Sequence, residues 1–188
     1  MDLKEAIYHR RSVRRYSERE VGKALITELL DAAVQAPSAL NQQPWAFAMF
    51  HGRQRLRNYS ERIKNHLITT LPPIFEVVPR TQLYEDPAYD IFHGASDLVV
   101  IYAEHGRLQP AEDCCLAAQN FMLAAHATGL ATCPIGFARS WFNLPNIKDE
   151  LGISNRYESV FPMALGYALG ETPPVPRKAP ELVCWLWD

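Results

Sequence analysis

The sequence predicts an α+β fold in a single domain covering residues 1–188. Helical and extended patterns follow one another without the regular strand–helix–strand alternation of a parallel α/β sheet. With 188 residues, 48% of them apolar, the chain is long enough to build one hydrophobic core. No internal repeat, low-complexity segment or linker divides the sequence.

The first elements are marked by a helix cap and by the spacing of apolar residues. Asp2 and Glu5 have the pattern of a capping box, which predicts a first helix that ends at about residue 9. A second helix is predicted over about Lys23 to Gln35, where apolar residues recur on one helical face. Pro37 ends this helix, and Trp45 to Phe50 then reads as a strand.

The middle of the chain has a helix, an irregular segment and a buried strand. Gln54 to Thr70 has a weaker amphipathic pattern and is predicted to be helical. Pro72 to Phe92 is irregular and aromatic, and loops of this length usually have a functional role or are mobile. Asp97 to Ala103 is a continuous apolar run, which is typical of a strand buried on both faces.

The longest predicted helix extends from Ala111 to Thr128, with Gly129 at the position that ends it. Its residues are small and apolar nearly all round, which predicts a central position and close packing against another helix. The remaining predicted elements are a short strand at Ala131 to Ile135, a helix between Pro145 and Gly152, a strand at Ser159 to Leu165 and a strand-like run at Leu182 to Trp187.

Composition argues against several classes of function. A net charge of -2 gives no reason to expect a nucleic acid or an anionic membrane as partner. No stretch is apolar and long enough to span a bilayer, and the first residues lack the apolar core of a signal peptide. We therefore expect a soluble, cytoplasmic protein. The cysteines form no CxxC pair and the histidines no HExxH motif, so no metal site is expected.

A basic cluster lies where the first helix should end, at Arg10, Arg11, Arg14 and Arg15. In an extended segment, alternation sends Arg10, Ser12 and Arg14 to one side. Two guanidinium groups and a hydroxyl on one side suit a phosphate or a flavin ring, because guanidinium forks match oxyanions. In a nearly neutral protein this cluster favours a small anionic ligand, and a solvated basic turn is the alternative for this segment alone.

A stiff polar loop follows the second helix. Pro37 and Pro44 bound it, and Ser38, Asn41 and Gln43 offer neutral hydrogen-bond donors and acceptors. On its own, this segment reads as an ordinary polar helix-to-strand connection.

Two later segments could complete a ligand site. Pro134, Ile135 and Gly136 form an uncharged stretch in which the glycine permits a flat ligand to approach the backbone. Arg177 and Lys178, in the proline-rich tail, could complete a phosphate site. The alternatives are an ordinary turn for the first segment and a solvated tail for the second.

The common nucleotide-binding fingerprints are missing from the sequence. It has no GxGxxG after a strand and no GxxxxGK[ST], and it also lacks GxSxG, the nucleophile motif of hydrolases. A nucleotide cofactor would therefore need a site of a different construction.

In their order along the chain, five segments together resemble the FMN-dependent nitroreductase family. They are RRSVR, APSALNQQPW, DCCLAAQNFMLAAHATGLATCPIGF, ALGYALGE and PRKAP. The resemblance covers nearly the whole chain and is weakest from about Arg53 to Ile91. It implies an α+β sandwich, with a mostly antiparallel sheet flanked by helices. It also implies an intertwined homodimer with two FMN sites at the interface.

The resemblance also implies which residues bind the cofactor. Arg10, Arg11 and Ser12 would hold the phosphate and the ribityl chain of FMN, and Arg177 with Lys178 would also meet the phosphate.

The flavin ring would be held by three further segments. Arg14 would approach its pyrimidine edge, and the backbone at Pro134, Ile135 and Gly136 would pass it near N5. The loop with Ser38, Asn41 and Gln43 would contribute Ser38 and Asn41 from the other subunit.

The implied activity is an FMN-dependent oxidoreductase. It would take reducing equivalents from NADPH or NADH and pass them to a nitroaromatic or a quinone in a ping-pong sequence. No catalytic side chain is assigned, because flavin N5 would carry the chemistry. A flavin-destroying or reductive dehalogenase-like relative, and a non-enzymatic FMN-binding protein, stay open as alternatives. The sequence does not distinguish NADH from NADPH or identify the physiological acceptor.

Overall fold

The computed structural model describes residues 1–70 and 84–187, and the α+β class is confirmed. Four strands form a mostly antiparallel sheet with helices packed on both faces. Part of the predicted irregular segment Pro72 to Phe92 lies outside the described residues. The helices are α1 Leu3–His9, α2 Lys23–Ala33, α3 Arg53–Thr70, α4 Pro110–Ala127, α5 Arg139–Phe142 and α6 Pro145–Leu151, and the strands are β1 Trp45–His51, β2 Asp97–Glu104, β3 Ala131–Pro134 and β4 Tyr157–Gly166.

The elements predicted before the tail are confirmed, with ends that differ by a residue or two. The capping box is present: the Asp2 carboxylate accepts from the Glu5 N–H at 2.8 Å, and the Glu5 carboxylate accepts from the Asp2 N–H at 3.0 Å. Helix α5 was missed, since four residues are too few to show a helical period.

The strand-like assignment of Leu182 to Trp187 is wrong within the single chain. These residues pair with none of the strands that the structure describes, and their side chains are exposed. The reason is that an apolar run forms a strand only beside another strand, and the described chain does not pair this run with either edge of the sheet.

The sheet has the strand order β1-β2-β4-β3, so β2 and β4 are central and β1 and β3 are edges. Strand β2 is buried on both faces, as its continuous apolar sequence indicates. Leu98, Val100 and Tyr102 contribute to one apolar cluster, together with residues of α3, α5 and α6. The alternate residues Val99 and Ile101 contribute to the second cluster, with α2 and α4. The two cores thus lie on opposite faces of one sheet.

Helix α4 is buried along one face and exposed along the other. Ala117, Ala118 and Ala125 are fully buried, and their small side chains allow α4 to pack closely on the sheet and on α2. Leu116 on the opposite face is 46% exposed. Gly129 ends the helix with a φ of +80°, as predicted. No helix in the ranges 1–70 and 84–187 is long and apolar enough to cross a membrane.

An extended segment, residues 12–17, lies beside β3 and the end of β4. The Val13 N–H donates to the Thr132 carbonyl at 3.0 Å, and the Ser17 N–H donates to the Tyr167 carbonyl at 2.8 Å. Val13 and Tyr16 are buried in the core and anchor the segment. This pairing brings the basic N-terminal residues next to the Pro134 turn.

Gly166 gives this arrangement a testable steric requirement. A Cβ atom at Gly166 would lie 2.9 Å from Cδ1 of Tyr16, inside van der Waals contact. We expect Gly166→Ala to lower the free energy of unfolding by about 1–3 kcal/mol, because the Tyr16 ring must move from a packed position. Urea denaturation followed by circular dichroism measures this change.

Gly22→Ala is the control, since a Cβ atom there meets no heavy atom within 4 Å. It should cost less than about 1 kcal/mol, the scale of a helix-cap change. Equal stability of Gly166→Ala and the parent protein would contradict the packing described for Tyr16.

Candidate functional site

A cavity of about 450 Å³ lies between the basic N-terminal segment and the first part of the tail. The fold brings together two of the segments singled out in the sequence, one from each end of the chain. The residues that line it are Arg10, Arg11, Ser12, Val13, Arg14, Arg15, Leu169, Glu171, Thr172, Pro173, Val175 and Arg177. Lys178 is not in this lining and is exposed.

Two arginine side chains of the cavity each have a nitrogen atom without a hydrogen-bond partner among the described residues. Arg10 Nη1 and Arg11 Nε are buried, and neither has a hydrogen-bond partner in the part of the chain that the structure describes. Burial lowers the pKa of Arg10, and the neighbouring charges of Arg11 and Arg177 lower it further. Buried polar groups are normally paired. The cavity is therefore suited to an anion with several acceptor oxygens.

The end of helix α1 fixes the position of Arg11. Arg11 Nη1 donates to the Tyr8 carbonyl at 2.7 Å and to the Arg10 carbonyl at 2.8 Å. The last carbonyls of a helix have no partner within it, so a guanidinium at this end stabilises them. The same contacts hold the guanidinium at the cavity wall and leave its Nε atom without a hydrogen-bond partner among the described residues.

Arg14 is exposed and lines the same cavity, and its charge also acts on groups outside the cavity lining. Burial, and after it the Arg14 guanidinium, lower the pKa of His93. Burial raises the pKa of the Cys133 thiol, and Arg14 and Arg10 oppose that rise. Arg10 and Arg14 therefore both act on the region around β3, while Val13 between them points into the core.

The turn after β3 presents an open, uncharged surface. Pro134 and Gly136 are exposed, whereas Ile135 is buried and its N–H donates to the Pro162 carbonyl at 2.8 Å. A Cβ atom at Gly136 would meet no heavy atom within 4 Å. A flat ligand can therefore approach the backbone at this turn, as the sequence predicts.

The polar loop after α2 forms a tight network of its own. The Ser38 hydroxyl accepts from the Gln43 N–H at 2.9 Å, and Gln43 Nε2 donates to Asn41 Oδ1 at 3.1 Å. Leu40, Asn41 and Gln43 have positive φ, which is uncommon for residues other than glycine. The Asp113 carboxylate on α4 accepts from the Ala39 N–H at 3.2 Å and holds the loop.

Within one chain, the structure does not bring this loop to the arginine cavity. Ser38, Asn41 and Gln43 do not line it, and the Leu40 side chain is 82% exposed to solvent. The assignment of these residues to a partner subunit's site stays a prediction.

Sequence reasoning missed two residues, His93 within the field of Arg14 and Asp113 beneath the polar loop. His93 is partly buried and has a φ of +59°, and its ring lies 6.2 Å from that of Tyr89. Asp113 was treated only as part of a helix, although an acidic residue on a buried helix face signals a polar partner. Residues 1–70 and 84–187 contain no group of three or more His, Cys, Asp or Glu side chains that could hold a metal ion.

The chain is similar to known proteins along most of its length. The model of the nitroreductase family matches residues 7–167. A Methanothermobacter thermautotrophicus protein, provisionally named an NADH dehydrogenase/NAD(P)H nitroreductase, is 33% identical over 131 residues. That match covers 69% of this chain but only 58% of the archaeal protein. A 4-nitrobenzoate reductase from a Nocardioides strain is 25% identical over 223 aligned positions, and the match covers 95% of this chain and 87% of the reductase.

Solved structures show the same fold. A Bacteroides fragilis nitroreductase with bound FMN superposes with a TM-score of 0.84 at 22% identity, and each chain is covered completely. An FMN-dependent nitroreductase from Mycobacterium smegmatis in complex with NADPH has a TM-score of 0.66 at 22% identity, with 88% of this chain and 86% of that chain covered. At such identities the likeness is one of fold.

Proposed function

This chain belongs to the nitroreductase family, and from that membership we propose that it is an FMN-dependent oxidoreductase. It takes reducing equivalents from NADPH or NADH and delivers them to a small organic acceptor, a nitroaromatic or a quinone. The observation that carries the proposal is the cavity in which Arg10, Arg11 and Arg177 meet. The named activities of the relatives support the same reaction class.

The residues present fit the phosphate of FMN. A phosphate brings several acceptor oxygens to Arg10 Nη1 and Arg11 Nε, which are buried and unpaired within the described chain. The charges of Arg11 and Arg177 repel that of Arg10 and lower its pKa. The negative charge of the phosphate offsets this repulsion. A cavity of about 450 Å³ is also within the usual range for small-molecule sites.

The isoalloxazine ring fits the uncharged turn after β3. Pro134 and Gly136 are exposed there, and the pairing of Val13 with Thr132 keeps Ser12 and Arg14 alongside. The ring would lie over the open face at Gly136, with the ribityl chain passing Ser12 toward Arg10. The exposed turn would leave space for a second molecule to reach the cofactor.

In the proposed mechanism, bound FMN supplies the redox chemistry by accepting electrons from NAD(P)H and passing them to the acceptor. The protein binds the phosphate through Arg10, orients the ring at the Gly136 turn and places a fixed cation, Arg14, at the pyrimidine edge. No side chain needs to exchange a proton, and burial favours the protonated Cys133 thiol. Both substrates use the same open face in turn, which gives ping-pong kinetics.

We further propose that the enzyme is a homodimer whose cofactor sites need both chains. Strand β1 is an edge of the sheet, and an apolar groove of about 410 Å³ beside it includes Ile26, Leu30 and Met49. The tail residues 182–187 are apolar and exposed, with Val183 at 95% exposure. If two copies exchange tails, the apolar tail of each copy can pack against the β1 edge and the groove of the other. The partner's loop at Ser38 and Asn41 would then complete the flavin site.

The cofactor proposal is tested by FMN binding to the deflavinated protein, followed by fluorescence quenching. Arg10→Ala should weaken FMN binding by about tenfold or more, because it removes a charge-assisted hydrogen bond worth roughly 1.5–3 kcal/mol. Arg55→Ala, at an exposed position on α3, is the matched control and should bind FMN normally.

Anaerobic stopped-flow with NADPH, then with a quinone or nitroaromatic, tests turnover. A protein that binds no FMN, or whose FMN is not reduced by NADPH or NADH, would contradict the proposal.

Arg14 should tune the redox potential. Reduction adds negative charge at the pyrimidine edge, so a cation there stabilises the reduced cofactor more than the oxidised one. Arg14→Ala should therefore lower the two-electron potential by tens of millivolts, where about 30 mV corresponds to roughly 1.4 kcal/mol. Arg14→Lys should keep part of the effect, since the charge stays while the planar fork is lost. Redox titration of FMN-saturated proteins measures the shift, and equal potentials would remove Arg14 from the flavin site.

The tail should hold the dimer together. Replacing both Trp185 and Trp187 with serine removes two exposed aromatic side chains. We expect the dimer dissociation constant to rise by at least about tenfold, the scale of one lost aromatic contact. Analytical ultracentrifugation measures the dissociation constant. Glu181→Gln, a polar change in the same tail, serves as the control. An unchanged dissociation constant in the double variant would refute tail exchange.

A further inference from the structure

A second cavity, of about 330 Å³, adjoins the proposed cofactor cavity. It lies between the ends of α1 and α4 and the start of β3. It shares Arg10 and Arg11 with the first cavity and adds His9, His126 and Thr132. None of the described residues that line it is an aspartate or a glutamate. Its electrostatic character is therefore set by basic side chains.

Two polar atoms at this cavity, besides those assigned to the FMN phosphate, are buried without a hydrogen-bond partner among the described residues. They are Thr132 Oγ1 and His126 Nε2. Thr132 is only 2% exposed, and its backbone is already engaged by Val13. Because buried hydroxyl and imidazole groups are normally paired, this set indicates a ligand.

The nearby carbonyl groups do not supply the missing partners. The last turn of α4 is closed by hydrogen bonds from the Leu130 N–H to the Ala125 carbonyl at 2.8 Å and from the Gly129 N–H to the His126 carbonyl at 3.1 Å. The groups left at the cavity are a hydroxyl, an imidazole nitrogen and guanidinium N–H donors. The basic side chains that line the cavity favour a ligand with negative charge, and a phosphate also has oxygen atoms for the hydroxyl and the imidazole.

We propose that this cavity is a second phosphate-binding subsite, next to the subsite for the FMN phosphate. The inference rests on the proposed function, because Arg10 and Arg11 wall both cavities. Two sources could supply the phosphate group. One is the second phosphate of a flavin dinucleotide whose first phosphate lies in the cofactor cavity. The other is free inorganic phosphate bound beside FMN.

His126 reports on occupancy. Burial lowers the pKa of His126, and the charges of Arg10, His9 and Arg11 lower it further. A bound phosphate offsets these charges, and its oxygens accept a hydrogen bond from the protonated ring, so the pKa of His126 should rise. This response separates binding at the subsite from a general salt effect.

The test is an NMR titration of the FMN-loaded protein with inorganic phosphate at constant ionic strength, observing the histidine ring signals. We expect a saturable shift of the His126 signal and a higher pKa at saturation. Thr132→Val, which is nearly isosteric, should weaken phosphate binding by about threefold or more and His126→Gln by about tenfold, in line with the loss of one hydrogen bond. His105→Gln, at an exposed position, is the control and should leave binding unchanged.

A second arm distinguishes the sources. The deflavinated protein is titrated with FMN and with flavin adenine dinucleotide. If the dinucleotide displaces phosphate and loses affinity in both variants while FMN keeps its affinity, the second phosphate of the dinucleotide is the ligand. If phosphate binds together with either flavin, free phosphate is the ligand.

The subsite is overturned if neither phosphate nor the dinucleotide gives a saturable response at His126 in the parent protein. That outcome does not depend on whether the variants fold. Failure of the proposed function has a different signature, namely no binding of either flavin. In that case the phosphate titration of the deflavinated protein still decides whether the subsite exists.

Discussion

The pairing of residues 12–17 with β3 is the constraint on which the rest of the site depends. One backbone hydrogen bond, from Val13 to Thr132, sets the register between the arginine segment and the Pro134 turn. Buried Val13 and Tyr16 keep the segment in place, and Gly166 leaves room for the Tyr16 ring. The polar groups of the site are thus positioned by an apolar core that they do not themselves enter.

The site concentrates unsatisfied cationic groups at a point where the core has no means to pair them. Arg10 and Arg11 have buried nitrogen atoms without partners in the described chain, and the basic character continues into the neighbouring cavity at His126. Such an arrangement costs stability in the free protein, because like charges repel and buried donors lose water. A phosphate ligand removes both costs, so its binding should stabilise the fold as well as occupy the site.

Much of the fold was predictable because it follows from local periodicity. The apolar face of α2, the small apolar residues of α4 and the continuous run of β2 each specify their own element. The arginine cluster and Gly136 turn were also identified in advance, although their proximity depends on strand order, which periodicity does not encode. The strand-like tail was misassigned because its pattern carries no information about which strand it would pair with. His93 and Asp113 were missed because their roles arise from contacts distant in sequence.

The distribution of the site along the chain has a consequence for its biosynthesis. The arginine segment leaves the ribosome well before its backbone partner at Thr132 and the opposite cavity wall at Arg177. Until then the basic segment has neither its neighbouring strand nor the tail segment that closes the cavity. The anion-binding cavity is therefore complete only after Arg177 has been synthesised, and a chain cut short before that residue would carry an incomplete site.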